Sequence, residues 1–210
     1  MTTCFALGEG CWCWRFGDAP DPELSNRVLA AYRELKKYPV NGVLDVVPAY
    51  TELAVHFDPL RVDAFEVRDE VEKRFTLQSS TEPTDQKLHR FQVRYEGADL
   101  VSVAESLQLS VEEVIQRHTA PVYTIAMIGF VPHFPYCLGL DPLLQVPRRA
   151  SPRIKVSAGS VALAGVQTGI YPQESPGGWN VIGTTDPVGC QRLRPGDQIQ
   201  FVATENAVCG

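Results

Sequence analysis

Glycine and proline punctuate the segment from residue 150 to 183, most densely between Gly165 and Trp179. Glycine adopts backbone conformations that other residues resist, whereas proline fixes φ and removes a hydrogen-bond donor. An ordinary core strand has no use for so many polar side chains set among such residues. The pattern therefore favours a rigid loop that presents polar groups to a ligand.

Short apolar segments rich in β-branched residues surround this loop. They predict strands at residues 88–95, 122–128, 161–164, 179–183 and 199–203, separated by turns with glycine and proline. Two helical stretches, 99–107 and 111–118, lie among them. Ser110 precedes two acidic residues, which is typical of a helix N-terminus. Many short strands in succession favour a closed barrel or a sandwich.

The first part of the chain combines strands with two amphipathic helices. The helices are predicted at residues 21–37 and 62–75, and the strands at residues 3–7, 12–16, 43–47 and 53–57. This order is typical of a small α+β domain with its helices on one sheet face. Residues 79–87 are polar, contain a proline and lack periodicity, which predicts a linker. We therefore expect an α+β domain at residues 1–80 and a mainly β domain at residues 88–210.

Charge and composition argue against several classes of function. The 210 residues carry a net charge of −6 and no basic stripe, so we expect no binding to nucleic acid, where phosphate contacts dominate. No apolar run approaches the ~18–20 residues that cross a bilayer, and the N-terminus lacks a secretion signal. These features predict a cytoplasmic protein without a membrane partner. Cys11 and Cys13 lack further ligands at zinc spacing, so no metal site is expected.

A cluster of basic residues follows the middle of the chain, at Arg148, Arg149, Arg153 and Lys155. Guanidinium groups bind carboxylate or phosphate through two parallel hydrogen bonds. Four positive charges within eight residues, interrupted by prolines, suit one small anion better than a polymer. Ion pairing with surface acids is the alternative. The cluster thus predicts either a small anion site or ordinary surface pairs.

A set of short motifs resembles one protein family over nearly the whole chain. The motifs are Val47-Pro48-Ala49-Tyr50, the run from Gly129 to Tyr136, Gly139-Leu140-Asp141, Pro147 to Ala150, Pro152-Arg153, Ala158 to Val161, the segment from Gln167 to Trp179, and Leu193 to Asp197. Together they resemble the family of 5-oxoprolinase B subunits, also known as allophanate hydrolase subunit 1 or the sporulation-kinase inhibitor type.

This resemblance implies a small α+β domain followed by a cyclophilin-like β-barrel. It implies a companion carboxyltransferase-like polypeptide, the C-type subunit, and a third oxoprolinase subunit. Such an assembly opens a small amide, 5-oxoproline, to glutamate with ATP. Relatives form the carboxyltransferase part of urea carboxylase or allophanate hydrolase, which is the alternative activity. The sequence has no glycine motif for phosphate binding, so ATP is expected at a composite or partner site.

The resemblance singles out one side chain, and the chemistry of the residues suggests the others. His118 matches a family histidine and is expected to move a proton to or from the amide; the alternative is a partly buried histidine that caps helix carbonyls. Glu174 is the second candidate catalytic residue, a role that needs a raised pKa. The three arginines, at 148, 149 and 153, are the candidate anion clamp. Substrate contacts are expected from Gln167, Thr168, Tyr171, Ser175, Gly177 and Gly178, unless this loop bonds only to itself.

The chain departs from the family pattern at two places. The family usually has glycine where this chain has His133, and Leu-Gly where it has Cys137-Leu138. If those glycines take positive φ values, the replacements cost strain or change the path of the loop.

Two further functions stay open. One is a regulatory protein that inhibits a histidine kinase, as in the sporulation branch of the family. The other, peptidyl-prolyl isomerase activity, rests on analogy with the cyclophilin fold alone.

Overall fold

The structure is a computed structural model that describes residues 2–19, 21–77 and 86–204. The chain divides into two compact units, residues 1–86 and 87–210. Most of the predicted linker, residues 79–85, lies outside the described residues. Among the described residues, no helix has both the length and the apolar character needed to span a membrane.

The first unit is an antiparallel sheet with two helices. Its elements are β1 (Thr3–Ala6), β2 (Cys11–Arg15), α1 (Pro22–Lys37), β3 (Val43–Pro48), β4 (Glu52–Phe57) and α2 (Ala64–Leu77). The strands pair in the order β1-β2-β4-β3. Each element lies within two residues of its predicted range, because the apolar periodicity on which the prediction rested is strong.

Local signals fix helix α1. Asp21 accepts a hydrogen bond from the Leu24 N–H at 3.0 Å, Pro22 occupies the first turn, and Lys36 and Lys37 lie in the last. Both helices bury their apolar side chains against one face of the sheet. The shared core contains Trp14, Val28, Ala31, Leu35, Val46, Leu53, Val55, Phe57, Val67 and Val71.

The second unit is mainly β. Its strands are β5 (Leu88–Val93), β6 (Tyr123–Ile128), β7 (Pro135–Leu138), β8 (Arg153–Val156), β9 (Ser160–Ala164), β10 (Gln167–Ile170), β11 (Ser175–Gly177), β12 (Asn180–Thr184) and β13 (Gln198–Ala203). Helices α3 (Leu100–Leu107) and α4 (Val111–Thr119) follow β5, and short 3-10 helices span Pro142–Leu144 and Pro187–Arg192. Ser110 and Glu113 form a reciprocal capping box at the start of α4.

Seven of these strands form a mixed sheet in the order β12-β9-β10-β7-β6-β13-β5. The β5–β13 pair is parallel and the other pairs are antiparallel. Just beyond β5, Arg94 exchanges two backbone hydrogen bonds with Thr184, at 2.8 and 2.9 Å. This bridge joins the two edges of the sheet, so the sheet is a nearly closed barrel.

The segment predicted to be one rigid loop, from Gly165 to Trp179, contains strands β10 and β11. The loop prediction was wrong for these residues because polar side chains and glycines occupy paired strand positions. Strand β10 pairs with β9 and β7, and β11 pairs with β8 in a separate two-stranded sheet. Tertiary pairing overrides the weak β preference of such residues.

Alternating residues give the barrel wall two packed faces. In β9, Val161 and Leu163 belong to the interior core, whereas Ala162 and Ala164 belong to a smaller core on the opposite face. The interior core also takes buried side chains from α3 and α4. Val156 of β8 packs into the smaller core, so the two-stranded sheet lies against the outside of the wall.

Candidate functional site

Four aromatic rings pack together in the smaller core, and we call them the outer aromatic cluster: Phe134, Tyr136, Tyr171 and Trp179. The Phe134 ring is central, with its centroid 4.9 Å from Tyr136, 5.0 Å from Tyr171 and 5.3 Å from Trp179. Gly169 in β10 makes room for the rings. A Cβ there would lie 2.6 Å from a backbone oxygen and 3.1 Å from the Phe134 ring. A glycine inside a strand is therefore what admits the cluster.

Strand β11 and the residue after it bring predicted substrate-binding residues to this cluster. A Cβ at Gly177 would overlap the Tyr171 hydroxyl, so this position needs glycine. The backbone N–H of Trp179 acts to lower the pKa of the same hydroxyl, against the larger effect of burial, which raises it. The Gly178 carbonyl accepts a hydrogen bond from the Arg149 N–H at 2.8 Å. Residues 177 and 178 thus tie the cluster to the arginine-bearing segment.

Ser175 begins strand β11 and is 7% exposed. Its hydroxyl oxygen is buried and has no hydrogen-bond partner among the described residues. The Nε of Arg149 is in the same situation. Buried polar atoms are nearly always hydrogen-bonded, so each of these two atoms has hydrogen-bonding capacity that the described residues leave unused.

Two of the three predicted arginines bind one buried carboxylate. The Asp99 side chain is 4% exposed and accepts hydrogen bonds from Arg149 Nη1 at 2.6 Å and from Arg153 Nη1 and Nη2, each at 2.7 Å. The Val181 N–H donates to it as well, at 2.7 Å. We call residues 147–153 the arginine loop. One carboxylate joins this loop to the start of α3 and to β12.

The charge of Asp99 is stabilised by these partners. Burial on its own would raise the pKa of the carboxyl group, but hydrogen bonds from Arg153 and from the Val181 N–H, together with both guanidinium charges, outweigh it and lower the pKa below its usual value. Arg149 and Arg153 are thus committed to a structural ion pair.

Arg148 is the arginine of the loop that faces solvent, and it makes no ion pair with any described residue. Its positive charge acts on the hydroxyl groups of Tyr136 and Tyr171. Burial raises the pKa of both tyrosines, and the positive charge of Arg148 acts in the opposite direction. The predicted clamp of three arginines therefore presents one free guanidinium beside the outer aromatic cluster.

Glu174 and Gln167 lie at the margins of this face. Glu174 forms an ion pair with Lys155 at 2.7 Å, and the two side chains are 55% and 65% exposed. Gln167 is half-buried at the start of β10. Within the described part of the chain, no three His, Cys, Asp or Glu side chains are grouped so that they would hold a metal ion.

His118 and Thr168 lie on the other side of the wall, in the barrel interior. Both are 0% exposed. His118 Nε2 is 2.9 Å from the Thr168 hydroxyl, and Nδ1 is 2.7 Å from the Tyr95 hydroxyl. The imidazole also stacks on Phe201, with ring centroids 4.6 Å apart. The structure therefore separates these two residues from the arginines and from Tyr171.

The hydrogen bonds assign the protonation state of His118. The Thr168 hydroxyl donates to the Ala162 carbonyl at 3.2 Å, so it accepts from His118 Nε2–H. Nδ1 is then the acceptor for the Tyr95 O–H. Burial favours the neutral ring and lowers the pKa of His118 to about 3. His118 is a neutral, fully hydrogen-bonded core residue at ordinary pH.

The loop between β6 and β7 carries the departures from the family pattern. His133 has a φ of +69° and Phe130 a φ of +65°, so both adopt the left-handed conformation that glycine favours. The condition for strain at His133 is therefore met. Leu138 lies in strand β7 and is not among the residues with positive φ, so its side chain causes no strain of this kind.

Residues 2–193 match the family model described as carboxyltransferase domain, subdomain C and D. The chain belongs to this family. A relative from Bacillus subtilis (strain 168), named as the B subunit of 5-oxoprolinase, is 36% identical over 217 residues that cover 93% of this chain and 90% of the relative. The resemblance predicted from the motifs is thereby confirmed.

Solved structures share the fold of this carboxyltransferase-domain chain. The crystal structure of TTHA0988 has a TM-score of 0.81 and 37% identity over 98% of this chain, and this chain spans 41% of the length of TTHA0988. Urea carboxylase from Kluyveromyces lactis has a TM-score of 0.77 over 97% of this chain. Its identity is 15%, so this second likeness concerns the fold alone.

Two residues at the centre of these arrangements were not predicted from the sequence. Asp99 precedes a helix, and an aspartate there is typically an N-cap, which gives no hint of two arginine partners. Tyr95 ends a predicted strand and resembles any core tyrosine. Phe134 and Tyr136 lie in the motif from Gly129 to Tyr136, which is the sequence signal for the outer aromatic cluster.

Proposed function

We propose that this chain is a subunit of an ATP-dependent 5-oxoprolinase, which converts 5-oxoproline, ATP and water to glutamate, ADP and phosphate. The observation that carries the proposal is the 36% identity to the Bacillus subtilis 5-oxoprolinase polypeptide, over 90% of the length of that relative. Similarity over nearly full length, rather than over one motif, supports a shared activity.

The substrate site of this proposal is the face formed by Arg148, strand β11 and the outer aromatic cluster. Arg148 would bind the carboxylate of 5-oxoproline by a charge-assisted, bidentate hydrogen bond. Tyr136 and Tyr171 offer aromatic surface and hydroxyl groups to the lactam ring. The unused hydroxyl of Ser175 supports hydrogen bonding to the amide.

The reaction needs activation of a stable amide. Transfer of the γ-phosphoryl group of ATP to the lactam oxygen yields ADP and a phosphorylated ring, in which phosphate is a good leaving group. Attack of a first water at that carbon and cleavage of the ring C–N bond, with a proton passing to the nitrogen, give the acyl phosphate of glutamate. A second water then hydrolyses this acyl phosphate to glutamate and phosphate. Glu174, exposed just before β11, is our candidate base for the attacking water, a role that requires its ion pair with Lys155 to open when the substrate binds.

His118 takes a different part in this proposal. Its ring is completely buried and both nitrogens are hydrogen-bonded, so we assign it to fixing β10 through Thr168 rather than to proton transfer on the substrate. ATP is assigned to a composite site or to a partner, because no glycine motif for phosphate binding is present in this chain.

A C-type companion subunit and a third oxoprolinase subunit belong to the same proposal. In TTHA0988 the region similar to this chain is 41% of a longer chain, which supports a companion polypeptide here. A carboxyltransferase role on another small amide, as in urea carboxylase, is the second candidate. It is favoured by the match of residues 2–193 to the family model described as carboxyltransferase domain, subdomain C and D.

The test is reconstitution. The chain would be co-expressed with the companion subunits, and ATP-dependent release of glutamate from 5-oxoproline measured. We expect Arg148→Ala to lower kcat/KM about 10- to 100-fold, which corresponds to loss of one hydrogen-bonded ion pair. Arg192→Ala, an exposed arginine on a 3-10 helix, is the matched control and should leave it unchanged.

Two results would count against the proposal. Absence of turnover by a well-formed wild-type complex would redirect it to another amide or to a regulatory function. Full activity of the isolated chain would contradict the assignment of the chain as one part of a larger enzyme.

A further inference from the structure

The side chain of Asp99 lies at the start of helix α3 but does not cap that helix. It occupies the N-cap position of α3, with φ −108° and ψ 0°, yet its side chain makes no capping hydrogen bond. Aspartate at this position ordinarily accepts a hydrogen bond from the first turn of its own helix. Here both carboxylate oxygens turn away from the helix and serve other segments.

The carboxylate is fully engaged by donors from separate parts of the chain. Oδ1 accepts from Arg149 and Arg153, and Oδ2 accepts from Arg153 and the Val181 N–H, all between 2.6 and 2.7 Å. These donors are 50, 54 and 82 residues away in sequence. The arginine loop is thus held near both ends by one buried group.

Arg148 depends on this arrangement for its position. It directly precedes Arg149, whose side chain binds Asp99 and whose N–H donates to the Gly178 carbonyl at 2.8 Å. The residue next to Arg148 is therefore fixed from two directions, and the side chain of Arg148 itself is exposed.

The charges in the loop are unequal. Two of its three guanidiniums, those of Arg149 and Arg153, share the carboxylate of Asp99, and the nearby Lys155 is paired with Glu174. The loop keeps an excess of positive charge, which suits an anionic ligand. Removing the charge of Asp99 would leave three arginines that repel one another.

We propose that Asp99 is a positioning residue of the substrate site: by holding Arg149 and Arg153 it sets where Arg148 presents its guanidinium to the substrate carboxylate. This inference rests on the function proposed above. It assigns to Asp99 no contact with the substrate.

The kinetic test uses the assembled complex and four variants: Asp99→Asn, Arg148→Ala, the double variant and Asp197→Asn. Asp197 is the matched control, since it is 6% exposed and hydrogen-bonded to His89 and backbone N–H groups rather than to the arginines. Asp99→Asn should raise KM for 5-oxoproline about 10-fold and change kcat less than about threefold. Asp197→Asn should lower thermal stability without this split between KM and kcat.

The double variant decides whether Asp99 acts through Arg148. In the Arg148→Ala background, Asp99→Asn should raise KM by less than about twofold, because the group that it positions is gone. The inference is overturned if the rises in KM of the two single variants multiply in the double variant. It is also overturned if Asp99→Asn leaves KM unchanged. If Asp99→Asn does not fold, Arg149→Gln removes one tie while Arg153 stays paired. It should give a smaller rise in KM that is likewise absent without Arg148.

A chemical measurement separates this inference from the proposed activity. Phenylglyoxal modifies accessible arginines, and peptide mass spectrometry locates the products. In the wild-type chain we expect Arg148 to react at least about 10-fold faster than Arg149 and Arg153, since the guanidiniums of these two are paired with the buried Asp99 carboxylate, and Asp99→Asn to remove that difference. Equal rates in the wild type would refute the inference whatever the complex catalyses. Protection of Arg149 and Arg153 with no glutamate release would refute the proposed substrate and leave the role of Asp99 in place.

Discussion

The two faces of the barrel wall use polar side chains in opposite ways. In the interior, His118 is neutral and both of its ring nitrogens are hydrogen-bonded to the hydroxyls of Tyr95 and Thr168. On the outer face, Arg148 is charged and exposed, and the buried Ser175 hydroxyl has no hydrogen-bond partner among the described residues. Neighbouring residues of β10 face the two arrangements: Thr168 points inward, and Gly169 lies against the outer rings.

The contrast indicates which face of the wall has polar groups available to bind a ligand. A buried polar network stabilises a fold when every member is satisfied. A surface that keeps excess charge and unused hydrogen bonds is better suited to a ligand. We therefore expect substitutions inside to affect stability first, and substitutions outside to affect the site first.

The largest effect is expected from His118→Ala. The substitution leaves a cavity and removes the partner of two buried hydroxyls, so the free energy of unfolding should fall by about 3–5 kcal/mol. Urea unfolding of the isolated chain measures it, with the exposed His56→Ala as control, for which a change within about 0.5 kcal/mol is expected. A change below about 1 kcal/mol combined with complete loss of turnover would instead show that His118 acts in catalysis.

The pH dependence of the free energy of unfolding tests the burial of His118 in the barrel interior. The pKa of His118 is about 3 in the fold and near 6.5 when unfolded, so the unfolded state binds the proton first as pH falls. The contribution of neutral His118 is fully present above about pH 6.5 and is lost from there toward pH 3. Between pH 7.5 and 5 this amounts to about 2 kcal/mol, at no more than ~1.4 kcal/mol per pH unit.

Carboxylates such as Asp99 also lose stabilisation in acid. The contribution of His118 is therefore measured as the difference in free energy of unfolding between the wild type and His118→Leu. The wild type and His118→Leu would be unfolded in urea at each pH, and the wild type should show the steeper decline. If the free energies of unfolding of the two proteins fall in parallel with pH, His118 takes up its proton equally well in the folded and unfolded states, which would contradict its burial.

The outer face gives a smaller effect on stability, through a pair of adjacent glycines. A Cβ at Gly177 would overlap the Tyr171 hydroxyl, whereas a Cβ at Gly178 would make ordinary contact with Pro152 at 3.6 Å. Gly177→Ala should therefore destabilise the chain by about 1–2 kcal/mol and raise KM for the substrate. Gly178→Ala should change both by much less. Equal behaviour of the two variants would contradict the assigned position of Tyr171.

Most secondary structure of the first unit could be predicted from sequence. Helix α1 shows why: its apolar spacing, its Asp21 cap and its terminal lysines are all local signals. The short strands β10 and β11 could not be predicted, since their polar and glycine residues resemble a turn, and their pairing partners are decided by the fold. The candidate site followed the same division. The motifs located Tyr171, Gly177 and the arginines, but gave no indication that Arg149 and Arg153 are occupied by Asp99.

By itself the sequence determined the family, the helices with their caps, and the segment that carries the arginines, because each depends on neighbouring residues or on contiguous motifs. The tertiary structure decided which side of the wall each polar residue occupies. It buried His118 with Thr168, left Arg148 exposed and joined Asp99 to residues up to 82 positions away. The reason is physical: a charge or an imidazole acquires its properties from burial and from its hydrogen-bond partners, and those come from distant parts of the chain.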